Sequence, residues 1–143
     1  MTGIARLPDL GWMLEPLTAL PGVRHAVVLS EDGLLRGRSS AESAPALGKD
    51  TADTLSAASA ALAATSKSTA ALLYGEDAAV RQVMVESDRG FVLFTSGGVG
   101  AQLGVAAELD ADMGRVAHQM QVLVVKINEH LSSPAREPVS PSS

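Results

Sequence analysis

The segment that most constrains this chain is residues 49–73, a helical stretch built almost entirely from Ala, Ser and Thr. Its only large apolar residues are Leu55, Leu62, Leu72 and Leu73. At 1.5 Å per residue such a helix is about 35 Å long, more than a small sheet can cover. Ala57, Ala61, Ala64 and Ser68 recur at i, i+4, i+7, i+11 and form a smooth stripe of small side chains. Leu55, Leu62, Thr69 and Leu73 line a neighbouring sector, which is expected to pack on a sheet. Alanine also favours helix for its own sake. A stripe this regular suits a second helix approaching closely across a two-fold axis.

The rest of the chain supplies the sheet. Asp9 is expected to cap a first helix reaching about Leu20, with Leu10, Met13, Leu14 and Leu17 on one face. Pro16 kinks or shortens it, and Pro21-Gly22 ends it. Residues 23–30 alternate as a strand, Glu31-Asp32-Gly33 turns the chain, and residues 34–39 return with Arg36 and Arg38 on one face. After the long helix, residues 80–86, 91–95 and 101–107 read as three strands. Turns at 87–90 and at Gly97-Gly98 make them antiparallel neighbours. Gly104 leaves one face of the last strand open to close approach. Asp110 is expected to cap a last helix at 111–131, whose Met113, Val116, Met120, Leu123, Val124 and Ile127 form a wide apolar stripe.

The expected fold is therefore α/β of the α+β type, in the order α-β-β-α-β-β-β-α. One five-stranded antiparallel sheet carries the long helix on one face and the two terminal helices on the other. Residues 9–131 form one domain, after a flexible segment at 1–8. Residues 132–143 hold three prolines and five serines and read as a disordered tail.

Composition narrows the function. The formal charge of −5 disfavours sequence-independent nucleic-acid binding, which needs a basic face. Four aromatic residues, Trp12, Tyr74, Phe91 and Phe94, are too few for base-stacking platforms. Without cysteine there are no disulfides, thiolate metal sites or cysteine nucleophiles. No apolar run approaches the ~20 residues of a membrane span, and residues 1–7 lack a signal pattern, so the expected location is cytoplasmic.

No motif carries a reaction. The glycines of residues 98–104 lie between two strands, whereas a phosphate-binding loop must lead into a helix. His25, His118 and His130 make no pair at metal-binding spacing. There is no G-x-S-x-G elbow, and Glu31-Asp32 suits a turn tip better than an acid–base pair. No enzyme activity and no cofactor or metal are expected.

Interaction surfaces are the alternative. If residues 80–86 lie at a sheet edge, Val80, Gln82 and Met84 can pair with a second copy and extend the sheet to ten strands. The Ala57, Ala61, Ala64 and Ser68 stripe would complete that interface. Arg36, Arg38 and Lys67 are candidate polar contacts for another partner.

The order of elements resembles the Roadblock/dynein light-chain family, in its actinobacterial, GTPase-associated subgroup. The residues carrying the resemblance are Leu10-Gly11-Trp12-Met13-Leu14 and the run PGVRHAVVLSEDGL at 21–34. The run VRQVMVE at 80–86, Gly104-Val105-Ala106-Ala107, and the last helix through Gly114, Val116, Met120 and Leu131 also fit. Pro16 departs from the expected first helix. The resemblance implies a profilin-like fold, a homodimer built from the second helix and the edge strand, and a regulatory role beside a Ras-like small GTPase. Some bacterial relatives speed GTP hydrolysis by reshaping the GTPase's own site, but no motif here transfers that activity. Two alternatives stand beside this reading. One is a scaffold for a histidine-kinase-like sensor, which would recruit the protein to the membrane through partners. The other is a small-molecule sensor with a sizeable pocket under its outer helices.

Overall fold

The computed structural model describes residues 9–96 and 100–132. The flexible segment expected at 1–8, the turn at Gly97-Gly98 and the tail beyond Ser132 lie outside them.

The first helix is short. A 3-10 turn, Gly11–Leu14, runs directly into one α-helical turn, α1 (Glu15–Thr18). Asp9 does act at its start, its Oδ1 accepting the Gly11 N–H at 2.8 Å. Pro16 stands in the first turn of α1, where its missing N–H costs nothing. Two strands follow, β1 (Val23–Leu29) and β2 (Leu35–Ser40), joined through Gly33 at φ +85°. Then come α2 (Lys49–Tyr74), β3 (Gln82–Glu86), β4 (Phe91–Ser96), β5 (Gln102–Ala107) and α3 (Met113–Ser132). The expected order holds throughout. Val80 falls in the coil before β3, and Ser132 closes α3 instead of opening the tail.

The sheet order is β2-β1-β5-β4-β3, antiparallel at every pairing. The 3-10 turn, α1 and α3 cover one face. Leu14, Leu17, Val116, Met120 and Ile127 of these elements, with Leu10 just before the turn, pack with Ala26, Val28, Leu93, Leu103 and Val105 in an apolar core. α2 lies on the other face, over Val27, Phe94 and Gly104.

Three expectations change in detail. Asp112, not Asp110, caps α3: its Oδ1 accepts the Arg115 N–H at 3.1 Å. A register shift in the β1–β2 ladder leaves Arg36 as an extra residue between Leu35 and Gly37, so Arg36 and Arg38 do not alternate regularly on one face. The α2 residues buried against the sheet are Ala52, Ser56 and Ser59, whereas Leu55 and Leu62 are half-buried and Thr69 and Leu73 exposed. Small residues face the sheet where α2 comes close to it, at Gln102 and Gly33. A Cβ on Gly104 would stand 2.8 Å from the Phe94 ring, so that ring fills the gap Gly104 leaves.

Candidate functional site

Opposed residues in an antiparallel sheet share a face, so the face under α2 can be read in rows. The lower row, Ser40-His25-Ala106-Val92-Val85, lies away from the β1–β2 turn. The middle row is Arg38-Val27-Gly104-Phe94-Val83. The upper row contains Leu35, Leu29, Gln102 and Ser96.

α2 crosses the upper half of this face. Ser59 Oγ donates to Gln102 Oε1 at 3.1 Å. A Cβ on Gly33, in the β1–β2 turn, would stand 3.0 Å from Ala60 Cβ. Ser56 Oγ is satisfied by the Ala52 carbonyl at 2.9 Å, so its burial leaves no unpaired hydroxyl. The helix backbone lies nearest the two edge strands, β2 and β3. Between them it arches over an open cleft of about 540 Å³, whose lining includes Ala63, Lys67, Arg81, Val83, Phe94 and Gln102.

Among the described residues, nothing covers the remaining surface of α2. Ala57, Ala61, Ala64 and Ser68 are all exposed, on the side away from the sheet. The last turn is the most prominent apolar feature: Leu72, Leu73 and Tyr74 are 83%, 68% and 80% exposed. Thr65 and Thr69 donate their hydroxyls to the carbonyls of Ala61 and Thr65, which ties them to the helix backbone. Sequence reasoning placed Leu73 on the sheet. The signal it missed was three consecutive large apolar residues on a helix end with no strand beneath.

β3 is an edge strand with β4 on one side only. Arg81 accepts a hydrogen bond from the Ser96 N–H, and the Ser87 N–H donates to Gly90, so odd-numbered residues point their backbone groups at β4. Gln82, Met84 and Glu86 therefore direct theirs outward. Their side chains lie on the α1/α3 face, with Met84 opposite Leu93.

The three candidate cations are dispersed. Lys67 is exposed at the cleft and Arg38 is exposed on the middle row. Arg36 is half-buried, and its Nε is buried without a hydrogen-bond partner among the described residues. Lys49 pairs with Asp53 at 2.8 Å, and this hydrogen bond raises its pKa. His25 Nδ1 lies 2.8 Å from Ser40 Oγ, which accepts the Leu47 N–H at 3.0 Å. Burial, and then the Arg24 charge, push the His25 pKa below its ordinary value. Among the described residues no cluster of three or more His, Asp or Glu is placed to hold a metal ion, and no helix is long and apolar enough to cross a membrane.

Residues 10–107 match the family model of the Roadblock/LC7 domain. The chain belongs to the Roadblock/LC7 family. Among solved structures it is similar to a Roadblock/LC7 domain from Streptomyces avermitilis, at 31% identity and TM-score 0.75, covering 86% of this chain and 98% of that one. The gliding protein MglB from Thermus thermophilus shares the fold at 22% identity and TM-score 0.71, covering 83% of this chain and 87% of its own. So does MglB of Myxococcus xanthus, at 14% identity and TM-score 0.72, covering 87% and 96%. Among curated proteins, none matches the chain.

Proposed function

We propose that this Roadblock/LC7 protein is a non-catalytic, homodimeric regulator that binds a Ras-like small GTPase and alters its nucleotide cycle or location. Family membership over residues 10–107 carries the reading, together with the regulatory role beside a small GTPase that the Roadblock/dynein light-chain resemblance implies. Two surfaces support the dimer. Among the described residues β3 has an unpaired edge, and the apolar last turn of α2 has no partner. Val80, Gln82 and Met84 lie at or beside that edge, and Ala57, Ala61, Ala64 and Ser68 leave α2 smooth enough for a helix to approach. Arg38 and Lys67, exposed on the α2 face, are available to a GTPase, and the half-buried Arg36 is a further candidate contact.

The experiment is co-elution of the purified protein with Ras-like small GTPases of its source organism, in GDP and GTP forms, followed by single-turnover hydrolysis. The reading expects a complex that depends on the nucleotide. Binding to a histidine-kinase-like sensor with unchanged hydrolysis would instead favour a scaffold.

One observation favours a second reading. The cleft of about 540 Å³ under α2 lies within the usual range of ligand pockets. A small-molecule sensor would show reproducible thermal stabilisation in a ligand screen.

A further inference from the structure

The segment that joins β2 to α2 is fastened to the sheet through a side chain that titrates. We propose that His25, Ser40 and Leu47 form a proton-sensitive fastening. With His25 neutral, they hold residues 45–48 against the sheet. Protonation of the ring releases that segment and, with it, the first turn of α2. The proposal stands apart from the dimer and GTPase readings.

The donors and acceptors set the two states. Ser40 Oγ accepts the Leu47 N–H at 3.0 Å and lies 2.8 Å from His25 Nδ1. A hydroxyl has one proton to donate and two lone pairs to accept with. With one lone pair on Leu47, its proton is free to point at Nδ1, which accepts when the ring carries its own proton on Nε2. All three groups are then satisfied. An imidazolium carries a proton on both nitrogens, so Nδ1 can only donate. The Ser40 hydroxyl must then turn away from the ring and lose the acceptor that it had.

The surroundings do not stabilise the charged ring. His25 lines a small pocket of about 90 Å³ with Leu47, Leu55, Val92 and Ala106, so the loop, α2, β4 and β5 all present apolar groups to it. The nearest charge is of the wrong sign. Arg24 precedes His25 on β1, with its guanidinium 3.1 Å from Glu108. Arg38 of β2, two residues from Ser40, is exposed. β3 closes the row with Val85. Asp50 and Asp53 in the first turns of α2 and Glu42 in the loop are exposed, and Asp53 is paired with Lys49. Among the described residues no carboxylate forms an ion pair with His25.

The place of Leu47 in the chain gives the fastening its reach. The start of the segment is tied independently, by the Ala41 N–H to the Arg24 carbonyl at 2.8 Å and the Ala44 N–H to the Ala41 carbonyl at 3.0 Å. Beyond Ala44, the hydrogen bond from Leu47 is what joins the segment to the sheet among the described residues. One residue later, the Gly48 carbonyl accepts the Ala52 N–H at 2.9 Å and begins α2. Gly48 brings no side chain to cap the helix. The first turn of α2 therefore depends on the chain just before it being held, and loss of the Leu47 anchor lets that turn fray.

The test is amide hydrogen exchange read by NMR on the full chain between pH 7.5 and 5.0, alongside the ring signals of His25. Protection is expressed against the intrinsic exchange rate at each pH. The Leu47 and Ala52 amides should each lose about tenfold in protection as the His25 ring protonates, the equivalent of one pKa unit of coupling, while Val27 in β1 keeps its own. In His25→Phe the protection of Leu47 should be independent of pH. Ser40→Ala should lower it already at pH 7.5, which gives a second reading if His25→Phe does not fold. A Leu47 amide that ignores the His25 titration, that keeps its pH dependence in His25→Phe, or that stays protected in Ser40→Ala overturns the fastening. Equal loss at Val27 overturns local release in favour of global opening. Loss at Leu47 without loss at Ala52 overturns the extension to α2.

Discussion

Gly104 and His25 show how single residues set the α2 face. The Phe94 ring occupies the space beside Gly104, and a Cβ there would also come within 3.1 Å of Val27. Gly104→Val is therefore expected to destabilise the fold by about 1–3 kcal/mol through overpacking, read as a lower urea midpoint. His25 makes a pH-dependent contribution. Its folded pKa lies below the ordinary value of about 6.5, so the fold prefers the neutral ring. That part of the stability is fully present above about pH 6.5 and is lost as the pH falls through the depressed folded value. His25→Gln should flatten the urea midpoint between pH 7 and 5.5 relative to the parent. An unchanged slope would remove His25 as its source. That His25 lies in a strand was legible from the alternation of residues 23–30. Its hydrogen bond to Ser40 was not, because it depends on the β1–β2 register and not on local sequence.

At the scale of elements, turns and periodicity were enough to order the helices and strands, because each boundary is marked by Gly, Pro or Asp. Boundary chemistry was harder. Asp110 and Asp112 both suit a helix start by residue type, and only the geometry shows that Asp112 holds the Arg115 N–H. Asp112→Ala should cost about 0.5–2 kcal/mol, and Asp110→Ala much less. Equal effects in thermal melts would contradict that assignment. α2 was the element least legible in its packing. Hydrophobicity alone directs leucines inward, but the residues buried against the sheet are Ala52, Ser56 and Ser59, with Ser59 bonded to Gln102, while Leu55 and Leu62 stay half-buried. Ser59→Leu should lift the helix from Gln102 and cost about 1–3 kcal/mol, with loss of helical circular dichroism at a lower temperature.

The whole molecule divides its labour between two faces. The face under α1 and α3 is a closed apolar core, whereas the α2 face keeps a cleft, an exposed apolar helix end and a free strand edge. The Roadblock family was legible in the run at residues 21–34 and is carried by the match over residues 10–107. The surfaces were legible only in part, since a free edge and an uncovered helix end emerge from topology. The central claim is a dimer that engages a small GTPase. Sedimentation velocity of the protein mixed with a GTP-loaded Ras-like small GTPase of its source organism tests that claim most directly. The account predicts one boundary containing two copies of this chain bound to the GTPase, absent or weaker with GDP. Separate boundaries for a monomer of this protein and a free GTPase in both nucleotide states would contradict it.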